Sequence, residues 1–310
     1  IKFLKKPYIN LGLMKNIICD ICNNECNEFY TGAIRDGAIG KLLKNCVIYE
    51  CSVCKVQRLD EKDCIPDDSY ETGVYREKLN ESLNTDKLIL EHDRLHLFTL
   101  NSIYPTSLRG KFIMDVGCGA GSLLNMLKNI SQSQIGVEPT SLFRDKLNKQ
   151  GYKVYSNLSE AIKEKQGTID FAFSIQVIEH VKNPREFLEE IRKMMKPGGK
   201  LIISTPNRDD ILMNLLKDKF YPFFYRSQHR WYFDEFSLKK CAEISGFKVT
   251  NCKYIHRYGM ANMLYWLRDK TPQGLKQIDG IDATADSLWQ TYLESTKQSD
   301  NLYIELSVNS

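Results

Sequence analysis

Three groups of side chains in this 310-residue sequence have the types and spacing to do chemistry. The first is a pair of C-x-x-C segments, Cys19-Asp-Ile-Cys22 and Cys51-Ser-Val-Cys54, separated by 28 residues. Four thiolates in two such knuckles match tetrahedral zinc, and a closed four-sulfur site has no open position for water or substrate, so its role is structural. Cys26, Cys46 and Cys64 lie outside the C-x-x-C geometry, although any of them could replace one partner. Reduced cytosolic thiols or a redox pair are the alternative. Seven of the ten cysteines fall between residues 19 and 64, a clustering that points to metal rather than to disulfides.

The second group is the run Lys111-Phe-Ile-Met-Asp115-Val-Gly117-Cys-Gly119-Ala-Gly121. It reads as a short apolar strand, a glycine turn and the start of a helix. Glycines let the chain pass close to a ligand, and the helix start offers unpaired N–H groups. The spacing is G-x-G-x-G, with Ser122 where a dinucleotide fingerprint places its third glycine, which removes the best evidence for hydride transfer. Asp115 before the turn suits an ammonium partner. Glu138 ends a second strand 21 residues after Gly117, where a carboxylate accepts ribose hydroxyls. The third group is two histidines, His180 and His229, in the loops after the fourth and fifth strands. A neutral histidine there is a candidate general base. The alternative for each is a hydrogen bond to loop backbone.

These groups need a frame. Apolar segments at Lys111–Asp115, Gln134–Glu138, Tyr152–Tyr155, Ile169–Ser174 and Lys200–Ser204 alternate with helical patterns, which predicts an α/β fold with a doubly wound parallel sheet. Met194-Met-Lys-Pro-Gly-Gly199 is expected to end a helix, with glycine at its cap. Gly246–Thr250 reads as a sixth strand. Upstream, Leu79, Leu83, Leu88, Leu95 and Leu97 predict helices between the cysteine segment and the sheet. Tyr70, Tyr75, Arg76 and His92 would face the ligand from there, or belong to a packing stripe.

Asp115-Val-Gly-Cys-Gly-Ala-Gly121, Val137-Glu-Pro139, Gln176-Val-Ile-Glu-His-Val181, Lys196-Pro-Gly-Gly199 and Ser204-Thr-Pro-Asn207, in that order, resemble class I S-adenosylmethionine-dependent methyltransferases over roughly residues 110–255. The resemblance implies a seven-stranded Rossmann-like sheet with S-adenosylmethionine as cofactor. It puts Asp115, Gly117, Cys118, Gly119 and Gly121 around the methionine part, Glu138 on the ribose with Pro139 beside it, Asn157 and Leu158 along the adenine, and Gln176 near the sulfonium. A seventh strand is then expected at Asn301–Val308, which alternates as a sheet strand should. Residues 256–300 become an insertion with helices over Tyr258–Arg268 and Ser287–Ser295, walling the cleft or forming a homodimer surface.

The cysteine module is similar to that of bacterial sugar methyltransferases with an amino-terminal zinc domain, including nucleotide-deoxysugar C-methyltransferases. The implied acceptor is a sugar or nucleotide sugar. Those C-methyltransferases carry a further carboxy-terminal domain for which this chain has too few residues, so O-methylation is the leading expectation. His229 is the first candidate base and His180 the second. Phe223, Tyr225 and Trp231 would line the acceptor pocket or the core. The expected organisation is a zinc-ribbon-like module over 14–64, a helical connector over 65–109 and the methyltransferase domain over 110–310.

Composition bounds the alternatives. A net charge of +4 with lysines spread along the chain does not indicate nucleic acid, and the cysteine module lacks a basic stripe. RNA or protein methylation is therefore a second enzyme reading, and an inactive binding protein on the same fold a third. The intact Asp115, glycine loop and Glu138 argue against the last. No apolar run reaches the roughly 20 residues that cross a bilayer, and residues 1–13 lack a long apolar run or cleavage site, so a cytoplasmic protein is expected. Met14 stands just before the first knuckle as the expected natural start, with residues 1–13 an upstream segment.

Overall fold

The computed structural model describes residues 17–78, 84–103 and 108–309. Met14, the upstream segment, and Leu79 and Leu83 of the connector lie outside the described residues. Two sheets organise the rest. The strands in chain order are β1 (Ile17–Ile18), β2 (Glu25–Arg35), β3 (Leu42–Cys51), β4 (Gln57–Leu59), β5 (Phe112–Val116), β6 (Ser133–Val137), β7 (Lys153–Tyr155), β8 (Ile169–Ile175), β9 (Met195–Pro206), β10 (Trp231–Tyr232), β11 (Lys248–Ile255) and β12 (Asn301–Ser307). The helices are α1 (Asp68–Thr72), α2 (Val74–Lys78), α3 (Thr85–Ile103), α4 (Ser122–Leu127), α5 (Ser141–Lys149), α6 (Leu158–Lys165), α7 (Pro184–Met194), α8 (Ile211–Leu216), α9 (Tyr221–Phe224), α10 (Glu235–Ile244), α11 (Met260–Asp269) and α12 (Ala283–Ser295).

The large sheet has the order β11-β12-β9-β8-β5-β6-β7. Its centre is parallel, and β12 lies antiparallel between β9 and β11. Central strands carry apolar side chains on both faces because helices cover both, as Ile113, Met114, Ala172 and Phe173 show by their burial. The seven-stranded sheet is thus the expected one, including its last strand at the chain end. The insertion between β11 and β12 holds α11 and α12. Among the described residues no helix is long and apolar enough to cross a membrane.

One local expectation changes. Helix α7 does stop at Met194, but its cap is Met195 in extended conformation rather than a glycine. Lys196 precedes Pro197, whose ring disfavours helical backbone in the residue before it. The chain therefore passes directly into β9, which starts five residues earlier than the apolar run suggested.

The second sheet has the order β1-β2-β3-β4-β10 and is antiparallel. Four of its strands come from the cysteine segment. The fifth, β10, comes from the loop after β9, with Trp231 opposite Arg58 and Tyr232 opposite Gln57. The flanking chain adds to this seam: Arg35 and Ser227 N–H groups donate to Tyr225 and Arg35 carbonyls at 2.9 and 3.0 Å, and Ile65 N–H donates to Ser227 at 3.0 Å. On the other side Arg230 and Trp231 N–H groups both donate to the Glu179 carbonyl, at 2.8 and 3.1 Å. Side chains close the seam, with Arg58 over the Trp231 ring, and Arg208 bonded to Glu50, Asp234 and the Lys55 carbonyl. A single apolar core runs from Cys19 and Val56 through Trp231 and Phe233 into the large sheet.

Trp231 is 1 % exposed, and its indole N–H donates to the Val181 carbonyl at 2.9 Å. Trp231→Ala should lower the free energy of unfolding by about 3–5 kcal/mol in urea denaturation, the cost of a large core truncation. A loss below about 1 kcal/mol would mean that β10 merely rests on the module.

Candidate functional site

The glycine loop between β5 and α4 turns through three left-handed glycines, with φ of 79° at Gly117, 52° at Gly119 and 87° at Gly121. Space forbids side chains at two of them. A Cβ on Gly117 would meet Val177 at 2.4 Å, and one on Gly121 would meet Leu147 at 2.4 Å. Gly117 and Cys118 N–H groups donate to the Val137 carbonyl, which brings the loop against the end of β6 and next to Glu138. Glu138 is buried and accepts from the Gly119 N–H at 2.9 Å and the Thr140 N–H at 2.8 Å. A carboxylate has roughly four acceptor positions, so this fixes its plane and leaves capacity for hydroxyls.

Asp115 ends β5 beneath the loop. It is 2 % exposed, and one carboxylate oxygen has no hydrogen-bond partner. Burial, with the Glu138 charge adding to it, pushes the Asp115 carboxyl up to about 7. Such a group waits for a cation. The ammonium and sulfonium of S-adenosylmethionine fit that demand, and Glu138 fits its ribose. The cofactor, when bound, supplies an electrophilic methyl group on sulfur.

Gln176 follows β8 with φ of 57°, a conformation unusual outside glycine. Its amide nitrogen is held by Ser204 Oγ at 3.2 Å and Asn301 Oδ1 at 3.0 Å, which ties three neighbouring strands together at their ends. Asp115, Gly117, Glu138, Pro139 and Gln176 all line one cavity of about 800 Å³ at the carboxyl ends of the parallel strands. Cys118 does not. It packs with Leu124, Leu147 and Val154 on the far side of the loop. Asn157 and Leu158 also lie away from the cavity lining: the Asn157 side chain caps α6 through the Glu160 N–H at 2.9 Å, and Leu158 joins the core.

The same cavity holds both histidines. Their rings meet edge to face, 4.7 Å between centroids. His180 Nδ1 lies 2.8 Å from the Gln228 carbonyl, and an oxygen that can only accept requires that Nδ1 carry the proton. Nε2 then keeps its lone pair. Tyr70 Oη, 3.1 Å from Nδ1, also donates to Gln228 O at 2.8 Å. Burial pushes His180 down to about 4. His229 is driven well below its ordinary value by burial and then by the Arg226 guanidinium. Both rings are neutral at pH 7. Glu179 stands beside them, its nearer oxygen 3.9 Å from His180 Nε2, and burial lifts its carboxyl to about 7. One atom from each of Glu179, His180 and His229 lies within 4.8 Å of the others, a two-nitrogen, one-oxygen set that could hold a cation.

Sequence reasoning missed Glu179, Arg35, Arg226 and His256, all of which line the cavity. Glu179 was adjacent to a named histidine; the others carry no local signal. The connector expectation is richer in the structure, where Tyr70, Tyr75, Arg76 and His92 all line the cavity, while Leu97 is exposed. Among the aromatics Phe223 lines the cavity, whereas Tyr225 and Trp231 are buried in the core.

At the far end of the module the four expected cysteines converge. Cys19 and Cys54 sulfurs are 3.6 Å apart and Cys22 and Cys51 sulfurs 3.4 Å apart, and the four Sγ atoms lie within 4.8 Å of one another. Tetrahedral zinc with bonds near 2.3 Å needs sulfurs about 3.8 Å apart. Each knuckle is followed by a left-handed residue, Asn23 and Lys55, that turns the chain away. Cys46 and Cys64 stand outside the cluster, whereas Cys26 borders it, in side-chain hydrogen-bond contact with Cys19 and opposite Cys51 in the β2–β3 pairing. The cluster is compatible with a zinc module.

The fold and the site together define a class, the S-adenosylmethionine-dependent methyltransferase domain. A family described as "Methyltransferase domain" matches residues 90–251, and the chain belongs to it. Similar curated proteins include "Ubiquinone biosynthesis O-methyltransferase, mitochondrial" of Rattus norvegicus, 30 % identical over 141 residues, covering 42 % of this chain and 41 % of that protein. Another is "Ubiquinone biosynthesis O-methyltransferase" of Nitrosococcus oceani, 35 % identical over 109 residues, covering 33 % and 46 %. The chain thus spans less than half the length of these curated relatives. A similar solved chain comes from the complex of the Haloferax volcanii Trm112 methyltransferase activator with its methyltransferase partner, at 14 % identity and TM-score 0.51, covering 73 % of this chain and 95 % of that one. At that identity the likeness concerns the fold alone.

A protonated Asp115 must ionise before it can meet a cation. S-adenosylmethionine affinity should therefore rise with pH from 5 towards 7, by at most about tenfold per unit, because the ligand ammonium stays charged over that range. Titration calorimetry across this window reads the slope, and Asp115→Asn should flatten it. A pH-independent affinity in the wild type would detach Asp115 from the cofactor.

Proposed function

We propose that this protein transfers the methyl group of S-adenosylmethionine to a hydroxyl of a sugar, nucleotide-linked or destined for a polysaccharide, with the His180–His229 pair taking the proton. The observation that carries this reading is the neutral histidine pair in the cofactor's own cavity, with the Nε2 lone pair of His180 uncommitted. Methyl transfer is an in-line displacement, so alignment and exclusion of water supply most of the rate, up to about 7–11 kcal/mol. A base adds about 10²- to 10⁴-fold. His180 suits that role better than His229. The Arg226 guanidinium disfavours an imidazolium at either ring, but His180 has the Glu179 carboxylate 3.9 Å from its Nε2 to offset that charge. His229 then packs the base and shields it.

The names of the relatives support O-methylation, and since each match covers less than half of either chain the acceptor is not carried over with it. Arg35, Arg226, Gln228 and Tyr258 offer an acceptor polar partners, beside apolar walls from Phe220, Phe223, Phe224 and Trp266. Zinc in the four-cysteine cluster would hold the small sheet, whose rim forms part of those walls.

Transfer of labelled methyl to nucleotide sugars tests the acceptor; reaction with RNA, protein or a quinol ring and with no sugar would overturn it. At saturating cofactor, turnover should rise with pH through about 7 as Glu179 ionises and can support the imidazolium. Glu179→Gln should remove that limb. His180→Ala should lower kcat by about 10²- to 10⁴-fold with cofactor affinity retained, and His229→Ala should lower it less.

Metal analysis by mass spectrometry should find one zinc per chain. Cys51→Ser should release it and lower the melting temperature, because metal binding and folding of such a site are linked. Full stability without metal would refute the zinc reading.

A further inference from the structure

Five arginines around the cavity and the seam fall into two kinds. Arg208, Arg230 and Arg257 each meet a carboxylate, Asp234, Asp67 and Asp300 respectively. Arg35 and Arg226 meet none. Among the described residues neither guanidinium has a carboxylate oxygen within 4.0 Å, and the Nε of each is buried without a hydrogen-bond partner.

The two stand side by side because of how the chain is paired. Arg35 closes β2, and its backbone bridges to Arg226 in the loop that leads to β10. Both side chains line the cavity that holds Asp115, Glu138 and the histidines. Arg35 is 7 % exposed, and its guanidinium lies over the Phe223 ring at 4.5 Å. Phe223 is braced edge-on by Trp266 at 4.8 Å. Burial and the Arg226 charge hold the Arg35 ionisation well below the usual guanidinium value. Glu179 is the one carboxylate whose charge acts on Arg226, and it makes no ion pair with it.

Two adjacent like charges, one buried and one half-buried, with no carboxylate in contact are costly unless a ligand brings one. A single carboxylate occupies one guanidinium fork. A phosphoryl group has three oxygens and up to two charges, and matches two forks. We propose that Arg35 and Arg226 form a clamp for a phosphoryl group carried by the acceptor, so that the substrate is a phosphorylated sugar or a sugar linked through a diphosphate. The inference rests on the preceding reading only in placing that group on a sugar. It also gives the cysteine module a part in recognition, since β2 delivers one half of the clamp and the methyltransferase domain delivers the other.

The test is calorimetric titration of the full chain, loaded with S-adenosylhomocysteine, with inorganic phosphate and with inorganic pyrophosphate. Wild type should bind at least one. Tighter pyrophosphate binding identifies a diphosphate-linked acceptor, and equal binding a monoester. Arg35→Gln and Arg226→Gln should each weaken it at least tenfold while S-adenosylhomocysteine binds as before, which also certifies the fold. Arg35→Lys, which keeps the charge and loses the fork, should fall between. No binding by wild type, or unchanged binding in both glutamine variants, overturns the clamp. Labelled methyl transfer separates the two readings. An uncharged sugar methylated without competition from pyrophosphate removes the clamp and leaves the sugar. Pyrophosphate binding that both variants lose, with no sugar methylated, does the reverse.

Discussion

The stretch from Tyr225 to Phe233 is hydrogen-bonded along both of its edges, and the site depends on that. One edge pairs with β4 and with Arg35 in the cysteine module; the other gives two N–H groups to the carbonyl of Glu179, in the loop after β8. A two-residue strand has little stability of its own. Here it is held from both sides, by β4 of the small sheet and by the loop after β8 of the large one, and that pairing places Arg226, Gln228 and His229. The acceptor side of the cavity is therefore a product of docking between layers, whereas the cofactor side is a product of the central sheet alone.

That division explains what could be read from residues in order. The cofactor side is local: Asp115, the three glycines and Glu138 fall within one strand-turn-helix-strand unit, so their spacing carries the geometry. The succession of strands and helices along the chain followed from alternation of apolar runs and helical patterns, and the last strand was legible as an alternating segment. The capping residue Asn157 was legible too, as an asparagine three residues before Glu160, but that signal belongs to helix α6 and competes with any reading that aims it at a ligand.

The acceptor side is non-local. Trp231 and Tyr232 look like one more aromatic pair in an aromatic loop, and nothing in their neighbourhood announces a partner strand at residues 57 and 58. Arg35 looks like an ordinary strand-end charge until Arg226 arrives beside it from the other half of the chain. Cys118 shows the converse limit. It sits inside a motif whose neighbours face the ligand, yet its own side chain turns into the packing against Gly136, where an added Cβ would stand 2.7 Å from its sulfur.

The long hairpin of β2 and β3 connects the four-cysteine cluster at one end to Arg35 at the other. Its pairing shifts twice, between Glu28 and Tyr30 and again between Gly32 and Ile34. Because successive side chains point to opposite faces of a sheet, adding or deleting one residue anywhere between Cys26 and Arg35 would turn the guanidinium away from the cavity while leaving both the cysteines and the methyltransferase core chemically intact. Length along that strand is thus fixed by the placement of Arg35, and in the proposed clamp a chain that drifted by a single position there would lose one of the two guanidinium forks.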